Sequence, residues 1–371
     1  MSSEEGVQQG DPLGPAFFAL TILTTSRELN NLQLLKWNVW YLDDGILVGP
    51  KETLLEVLQL LKLSFANIGL AVNMLKCKLW RPDDYSEASP ALPITWSKWN
   101  DDIRVLGVPF GTSTSYLHTL QSKLHSVWNI LPHLSDAQVS FTLLRVCLGC
   151  CKVNHILRGR AFSYNDPWLQ ALSAGLHSTF QAILGSAVPI QAWKQATLPI
   201  RLGGMGLYDP ITIAPFAYLS SVIGVALKPL FYHSLSIDAI SDIWKVIDIA
   251  RSFLPRPTEG AAEVPLSSWV RCGHIDLAPI EQTRNWASQK WWGHAMALAS
   301  KRELIDVSSV RDGHRLLCLS SPLNGAWLSC TPSTVDNLAI RDAVFRSLVK
   351  YRLGLPILPP ATTGTPCPFC H

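Results

Sequence analysis

At 371 residues, 48% hydrophobic and 16% charged, the chain can bury a large core and belongs among ordinary globular proteins of two or three domains. A net charge of +3 is too small to argue for nucleic acid by itself, although one groove can concentrate charge. Nine scattered Cys, an odd number, point to reduced thiols and an intracellular setting, nuclear or cytoplasmic, and exclude a disulfide framework.

The start, Met1-Ser2-Ser3-Glu4-Glu5, is acidic and polar and has no signal-peptide character. Gly6-Val7-Gln8-Gln9-Gly10-Asp11-Pro12-Leu13-Gly14-Pro15 then runs into an apolar segment. A helix is predicted over 15–29, with Pro15 in its first turn and Phe17, Leu20, Leu23 and Thr24 on one face. Gln9 and Gly10 fall in the loop before it, where a glycine lets the backbone approach a ligand; a tight turn without a ligand is the alternative.

Next comes Trp37-Asn38-Val39-Trp40-Tyr41-Leu42-Asp43-Asp44-Gly45-Ile46-Leu47-Val48-Gly49. Two runs rich in Val, Ile and Trp flank the pair Asp43-Asp44, and Asp44-Gly45 predicts a tight hairpin turn with both carboxylates at the tip. Adjacent carboxylates repel and favour a divalent cation between them. Mg²⁺ suits such a site, since it takes hard oxygen ligands and keeps waters and phosphates. A plain surface turn is the other reading.

A helix over 53–68 places Leu54, Leu58, Leu61, Phe65 and Ile68 on one face, to pack on the hairpin sheet. Gly69-Leu70 and Asn73 lead to Lys76-Cys77, with Lys76 either a site cation or a solvated lysine at a strand edge. Residues 81–95 read as loop, and Ile103 to Gly111, centred on Leu106-Gly107, as a short hairpin. From Tyr116 the pattern is helical. Leu117, Leu120, Leu124, Val127 and Leu131 mark one helix, and Phe141, Leu144, Val146 and Leu148 the next. Lys152, His155, Arg158 and Arg160 form a basic segment that can face a phosphate backbone or solvate a helix end. Cys147, Cys150 and Cys151, at helical spacing, read as small core residues rather than a metal site.

Residues 197–207 are Gly-rich but lack the lysine pattern of a phosphate loop. The uncharged run 210–227 reads as a buried helix rather than a membrane span, because Pro215, Ser220, Ser221 and Gly224 interrupt it; no membrane partner is expected. Residues 254–265 are the linker candidate. Beyond them the pattern is helical, with Trp286, Trp291 and Trp292 in the core, and the sequence ends in Cys367-Pro368-Phe369-Cys370-His371. Cys367 and Cys370 make half of a zinc knuckle, and Zn²⁺ is not expected on two ligands.

The Gln-Gly block followed about thirty residues later by Tyr41-Leu42-Asp43-Asp44 resembles the palm of a reverse transcriptase, with non-LTR retrotransposon enzymes nearest in kind. The resemblance implies RNA-templated addition of deoxynucleotides to a DNA primer with Mg²⁺. It implies metal binding by Asp43 and Asp44, and template and nucleotide contacts by Gln9, Gly10 and Tyr41. It further implies Lys76 as an acid for the leaving pyrophosphate, Leu106 and Gly107 as a primer grip, and Lys152 and Arg158 on the nucleic-acid backbone. The expected fold is α+β, a partial palm (1–112), a helical thumb and connection (113–253) and a helical C-terminal region (266–371). In this family a further aspartate comes from an earlier palm strand preceded by fingers. None precedes Asp11 here except Glu4 and Glu5, so the chain is expected to be a fragment, inactive in isolation. A non-catalytic nucleic-acid-binding remnant and an inert decayed product are the alternatives.

Overall fold

The computed structural model describes residue 6 and residues 10–80, 95–97, 103–111, 113–226 and 288–357. The fold is α+β, predominantly helical with three small two-stranded sheets among the described residues. Contacts divide the chain into two compact units, Met1–Leu106 and Gly107–His371. The proposed linker over 254–265, Trp286, the Trp291 side chain, Gln9, and the Cys367/Cys370 pair lie outside the described residues.

In the first unit, helix α1 (Gly14–Asn31) begins after a turn in which the Leu13 amide donates to Asp11 Oδ1 at 2.8 Å. Its buried stripe is Ile22, Thr25 and Leu29, with Phe18 packed beside it. The sequence pattern pointed instead to Phe17, Leu20 and Leu23, which are exposed. The helix is apolar on more than one side, so periodicity alone leaves its rotation open. A hairpin follows, β1 (Trp37–Tyr41) antiparallel to β2 (Asp44–Val48). Helix α2 (Lys51–Ala66) buries Val57, Leu61 and Phe65 against the α1 stripe and against Trp40 and Leu47 of the hairpin. Leu61 and Phe65 are as expected, Val57 joins them, and Ile68 is exposed beyond the helix end. Strands β3 (Lys78–Trp80) and β4 (Thr95–Ser97) pair in parallel.

The second unit is a helical assembly around one large core. Helix α3 (Ser115–Ile130) buries Leu117, Leu124 and Trp128, while Val127 stays exposed. Helix α4 (Ala137–Thr142) is capped by Asp136, whose Oδ1 accepts from the Val139 amide. It runs into one π-helical stretch, Leu143–Leu148, and breaks at Gly149. A π-stretch turns later side chains away from the expected face. Leu144 and Cys150 are therefore buried, whereas Val146, Cys147 and Cys151 are exposed, so only one of the three cysteines is a core residue. Burial raises the Cys150 thiol pKa far above its usual range, which keeps it inert.

Helices α5 (Asn154–Gly159), α6 (Pro167–Leu184), α7 (Ile190–Thr197) and α8 (Pro210–Ala226) follow. Phe141 packs on Phe180 and Phe345, and Phe180 on Trp193, with ring centroids about 6 Å apart. Helix α8 buries Ala214, Phe216, Ala217 and Leu219, as its uncharged sequence predicts. Among the described residues one helical stretch, 137–159, is long and apolar enough to cross a membrane, but Phe141, Leu144, Ile156 and Leu157 within it are core residues of this unit. Helices α9 (Gln289–Asp306), α10 (Val310–Leu319), α11 (Ala326–Ser329) and α12 (Asp342–Leu353) belong to the same unit.

The Gly-rich segment 197–207 is a socket for one buried cation. Arg352, 1% exposed, donates from Nε to the Gly204 carbonyl at 3.0 Å, from Nη1 to Asn324 at 3.0 Å and from Nη2 to Ile200 at 2.8 Å. Gln195 ties the Gly203 and Arg352 carbonyls together at 2.9 and 2.8 Å, and Arg315 donates to the Arg352 carbonyl as well. Burial and the neighbouring Arg315 lower the Arg352 pKa to about 10, which leaves it charged at neutral pH. Gly203 and Gly206 take left-handed φ of 89° and 73°, and a Cβ on Gly204 would collide with the Leu198 carbonyl.

Candidate active site

The hairpin is built so that one face is fastened and the other is open. Trp40 pairs across the strands with Gly45, and its indole lies over that glycine: a Cβ there would meet ring carbons at 2.6 Å. The same ring packs edge-on against Phe65 of α2, with centroids 5.5 Å apart. Trp40 Nε1 donates to Asn38 Oδ1 at 2.8 Å, and Asn38 Nδ2 donates to the Ser26 carbonyl at 2.9 Å and Asn30 Oδ1 at 3.0 Å on α1. Strand alternation puts Trp37, Val39 and Tyr41 on the opposite face, where all three are exposed.

The tip differs from the sequence expectation in one detail. Tyr41 pairs with Asp44, so the turn is Leu42-Asp43 and not Asp44-Gly45. Leu42 takes φ of +54°, an uncommon conformation for a leucine and a mark of local strain. The Asp-Gly signal was overridden because Gly45 is needed in β2, under Trp40. Asp43 therefore sits in the turn and Asp44 opens the returning strand on the Tyr41 face. Both are exposed, and among the described residues neither has a hydrogen-bonding or ion-pair partner. Two unpaired adjacent carboxylates fit a hard, partly hydrated divalent cation. No cluster of three or more His, Cys, Asp or Glu forms among the described residues.

Gly10 has φ of +99°, exposed, with open space where a Cβ would project. The glycine is thus required by backbone conformation and not by crowding. Gly10→Ala is expected to cost about 1–2 kcal/mol through strain alone, read as a lowered urea midpoint; no change would show that the loop is free to adopt another conformation. Lys76 lies in an exposed turn, its amide donating to the Asn73 carbonyl at 3.0 Å, two residues before β3 and not at a strand edge.

Strands β5 (Ile103–Val105) and β6 (Val108–Phe110) form the predicted short hairpin, with Leu106 and Gly107 at φ of 50° and 80°. Two successive positive φ values give the turn whose twist matches the strands. Within the second unit, α5 lies directly on this strand: a Cβ on Gly159 would sit 2.7 Å from the Val108 methyls, and one on Gly107 would be 3.6 Å from His155 Nε2. Lys152 and His155 are exposed. Arg158 Nη1 donates to Gln289 Oε1 at 3.1 Å and Ser220 Oγ at 3.4 Å, a partnership with α9 and α8 that no sequence signal announced.

A hairpin anchored on two helices, followed by a short hairpin and a helical unit, makes an α+β chain with two exposed carboxylates at the tip of its first hairpin. Residues 1–110 match the family model described as reverse transcriptase (RNA-dependent DNA polymerase), and the match supports a reverse transcriptase. A search of curated proteins finds no match.

Proposed function

We propose that this chain carries the metal-binding half of the palm of an RNA-directed DNA polymerase of the non-LTR retrotransposon kind. The observation that supports this best is the hairpin: Asp43 and Asp44, unpaired and exposed at a tip anchored through Trp40 and Asn38, within the segment that matches the reverse transcriptase family. Asp43 and Asp44 would hold Mg²⁺. When bound, that ion would stabilise charge on the transferring phosphate and lower the pKa of the attacking hydroxyl. Gln9 and Gly10 would contact template and nucleotide, Tyr41 would line the nucleotide side, and Lys76 would offer a proton to the departing pyrophosphate. Leu106 and Gly107 would seat the primer end, with Lys152 on the backbone.

Two-metal transfer needs more carboxylates than this pair. The isolated chain is therefore proposed to bind a divalent cation weakly and not to extend a primer. Misplacing a reacting group by about 1 Å costs on the order of a hundredfold, and lacking a metal ligand costs more. Mn²⁺ titration followed by NMR is expected to broaden signals of Tyr41, Asp43 and Asp44 selectively, and Asp43→Asn to abolish that broadening. Uniform broadening, or broadening centred elsewhere, would remove the hairpin as the metal site. In primer extension on an RNA template with Mg²⁺, neither the unmodified chain nor Asp43→Asn is expected to exceed background. Extension that disappears in Asp43→Asn would show that a further acid completes the site.

A further inference from the structure

We infer that Asn38 is a positioning residue for the carboxylate pair, a clasp that holds the hairpin of Asp43 and Asp44 in one register on α1. The inference rests on the reading of that hairpin as a metal site. Strand alternation places Asn38 beside Trp40 on the fastened face, where it is half-buried. An asparagine is a poor strand former, and a half-buried amide costs stability unless its polar ends are satisfied. Here both ends are used. Nδ2 donates to the Ser26 carbonyl at 2.9 Å, to Asn30 Oδ1 at 3.0 Å and, more weakly, to Ser26 Oγ at 3.4 Å. Oδ1 accepts from Trp40 Nε1 at 2.8 Å. The indole can only donate and the Ser26 carbonyl can only accept, so the amide has one orientation.

These bonds do what the apolar contacts cannot. Trp40 and Leu47 pack on the cluster that includes Ile22, Val57 and Phe65. Such packing is non-directional and tolerates a slide of the hairpin along α1. Hydrogen bonds weaken steeply away from their preferred distance and angle, so they fix the slide. Ser26 and Asn30 are four apart and lie on one face of α1, so the amide grips the helix over a full turn. Trp37, Val39 and Tyr41 on the other face are exposed, so among the described residues the grip is one-sided. At its start α1 is tied to the preceding loop: the Leu13 amide donates to Asp11 Oδ1 and the Gly14 amide to the Asp11 carbonyl at 3.1 Å. One amide therefore sets the place of the Asp43–Asp44 tip relative to α1 and to the loop at Gly10.

The test is Mn²⁺ titration of the full chain by NMR, read as the dissociation constant from the broadening at Asp43 and Asp44, beside the urea midpoint of each variant. Asn38→Leu keeps the side-chain size and removes all of these bonds. Asn30→Ala removes one acceptor from an exposed position and keeps the fold even where Asn38→Leu does not. Ile22→Val is the control, a core change that lowers stability without touching the amide. Mn²⁺ binding is expected to weaken about tenfold in Asn38→Leu, the low end of what outer-shell partners of a metal site contribute. In Asn30→Ala it should weaken about threefold, in line with one neutral hydrogen bond. Ile22→Val should lower the midpoint and leave binding unchanged. Unchanged binding in Asn30→Ala and in a folded Asn38→Leu would overturn the clasp and leave the hairpin reading intact. Weakening in Ile22→Val equal to that in Asn30→Ala would overturn it too, because general loosening would then explain both. An absence of selective broadening in the unmodified chain would remove the metal site itself, and the clasp's role with it.

Discussion

Arg352→Met is expected to lower the stability of the second unit by about 1–3 kcal/mol, and to shift its urea midpoint accordingly. Met follows the aliphatic stem of Arg352 but ends short of its guanidinium, so the Gly204 and Asn324 carbonyls lose this donor, while the Ile200 carbonyl keeps the Gly203 amide at 3.0 Å. A buried carbonyl left without a partner costs about 1–3 kcal/mol. Gly204 is the buried one of the three, since Asn324 is exposed to water, and its loss alone is a noticeable share of the 5–15 kcal/mol by which a typical domain is stable. Arg352→Lys should rescue little, because a single ammonium cannot reach three carbonyls that a planar guanidinium spans. A midpoint for Arg352→Met equal to that of the unmodified chain would mean that water enters and satisfies the socket, and that the Gly-rich segment does not depend on this residue.

Gly45→Ala should do the corresponding damage at the hairpin. Its new methyl would sit 2.6 Å from the Trp40 ring, which is itself wedged against Phe65. Overpacking of this kind costs about 1–3 kcal/mol. Either the ring leaves Phe65 or the strands separate at the Trp40–Gly45 pair. In both cases the near-ultraviolet circular dichroism of Trp40 should change, and the selective Mn²⁺ broadening at Asp43 should weaken although neither carboxylate has been touched. Full retention of both signals would show that Trp40 is not what holds the hairpin in place.

Local chemistry made much of this protein legible. Two short runs rich in Val, Ile and Trp on either side of Asp43-Asp44 marked the hairpin, since strand propensity and turn residues are local features of the sequence. The stripes of α2 and α3 and the uncharged run of α8 marked helices for the same reason. The two-block order pointed to the reverse transcriptase family, which the match over residues 1–110 supports.

What the sequence left open depended on partners far away in the chain. The turn moved to Leu42-Asp43 because Gly45 had to lie beneath Trp40, whose position depends on Phe65. The rotation of α1 was decided by contact with Val57 and Leu61, since its own pattern was apolar on two sides. Cys147 and Cys151 left the core because a π-helical stretch and Gly149 broke the helical period. The role of Arg352 was invisible in sequence, as its acceptors lie 28 to 152 residues away. The same holds for Arg158 and Gln289, separated by 131 residues. Periodicity reports which face a segment can bury; only the assembled fold decides what that face meets, because burial, carbonyl satisfaction and charge pairing are properties of neighbours in space.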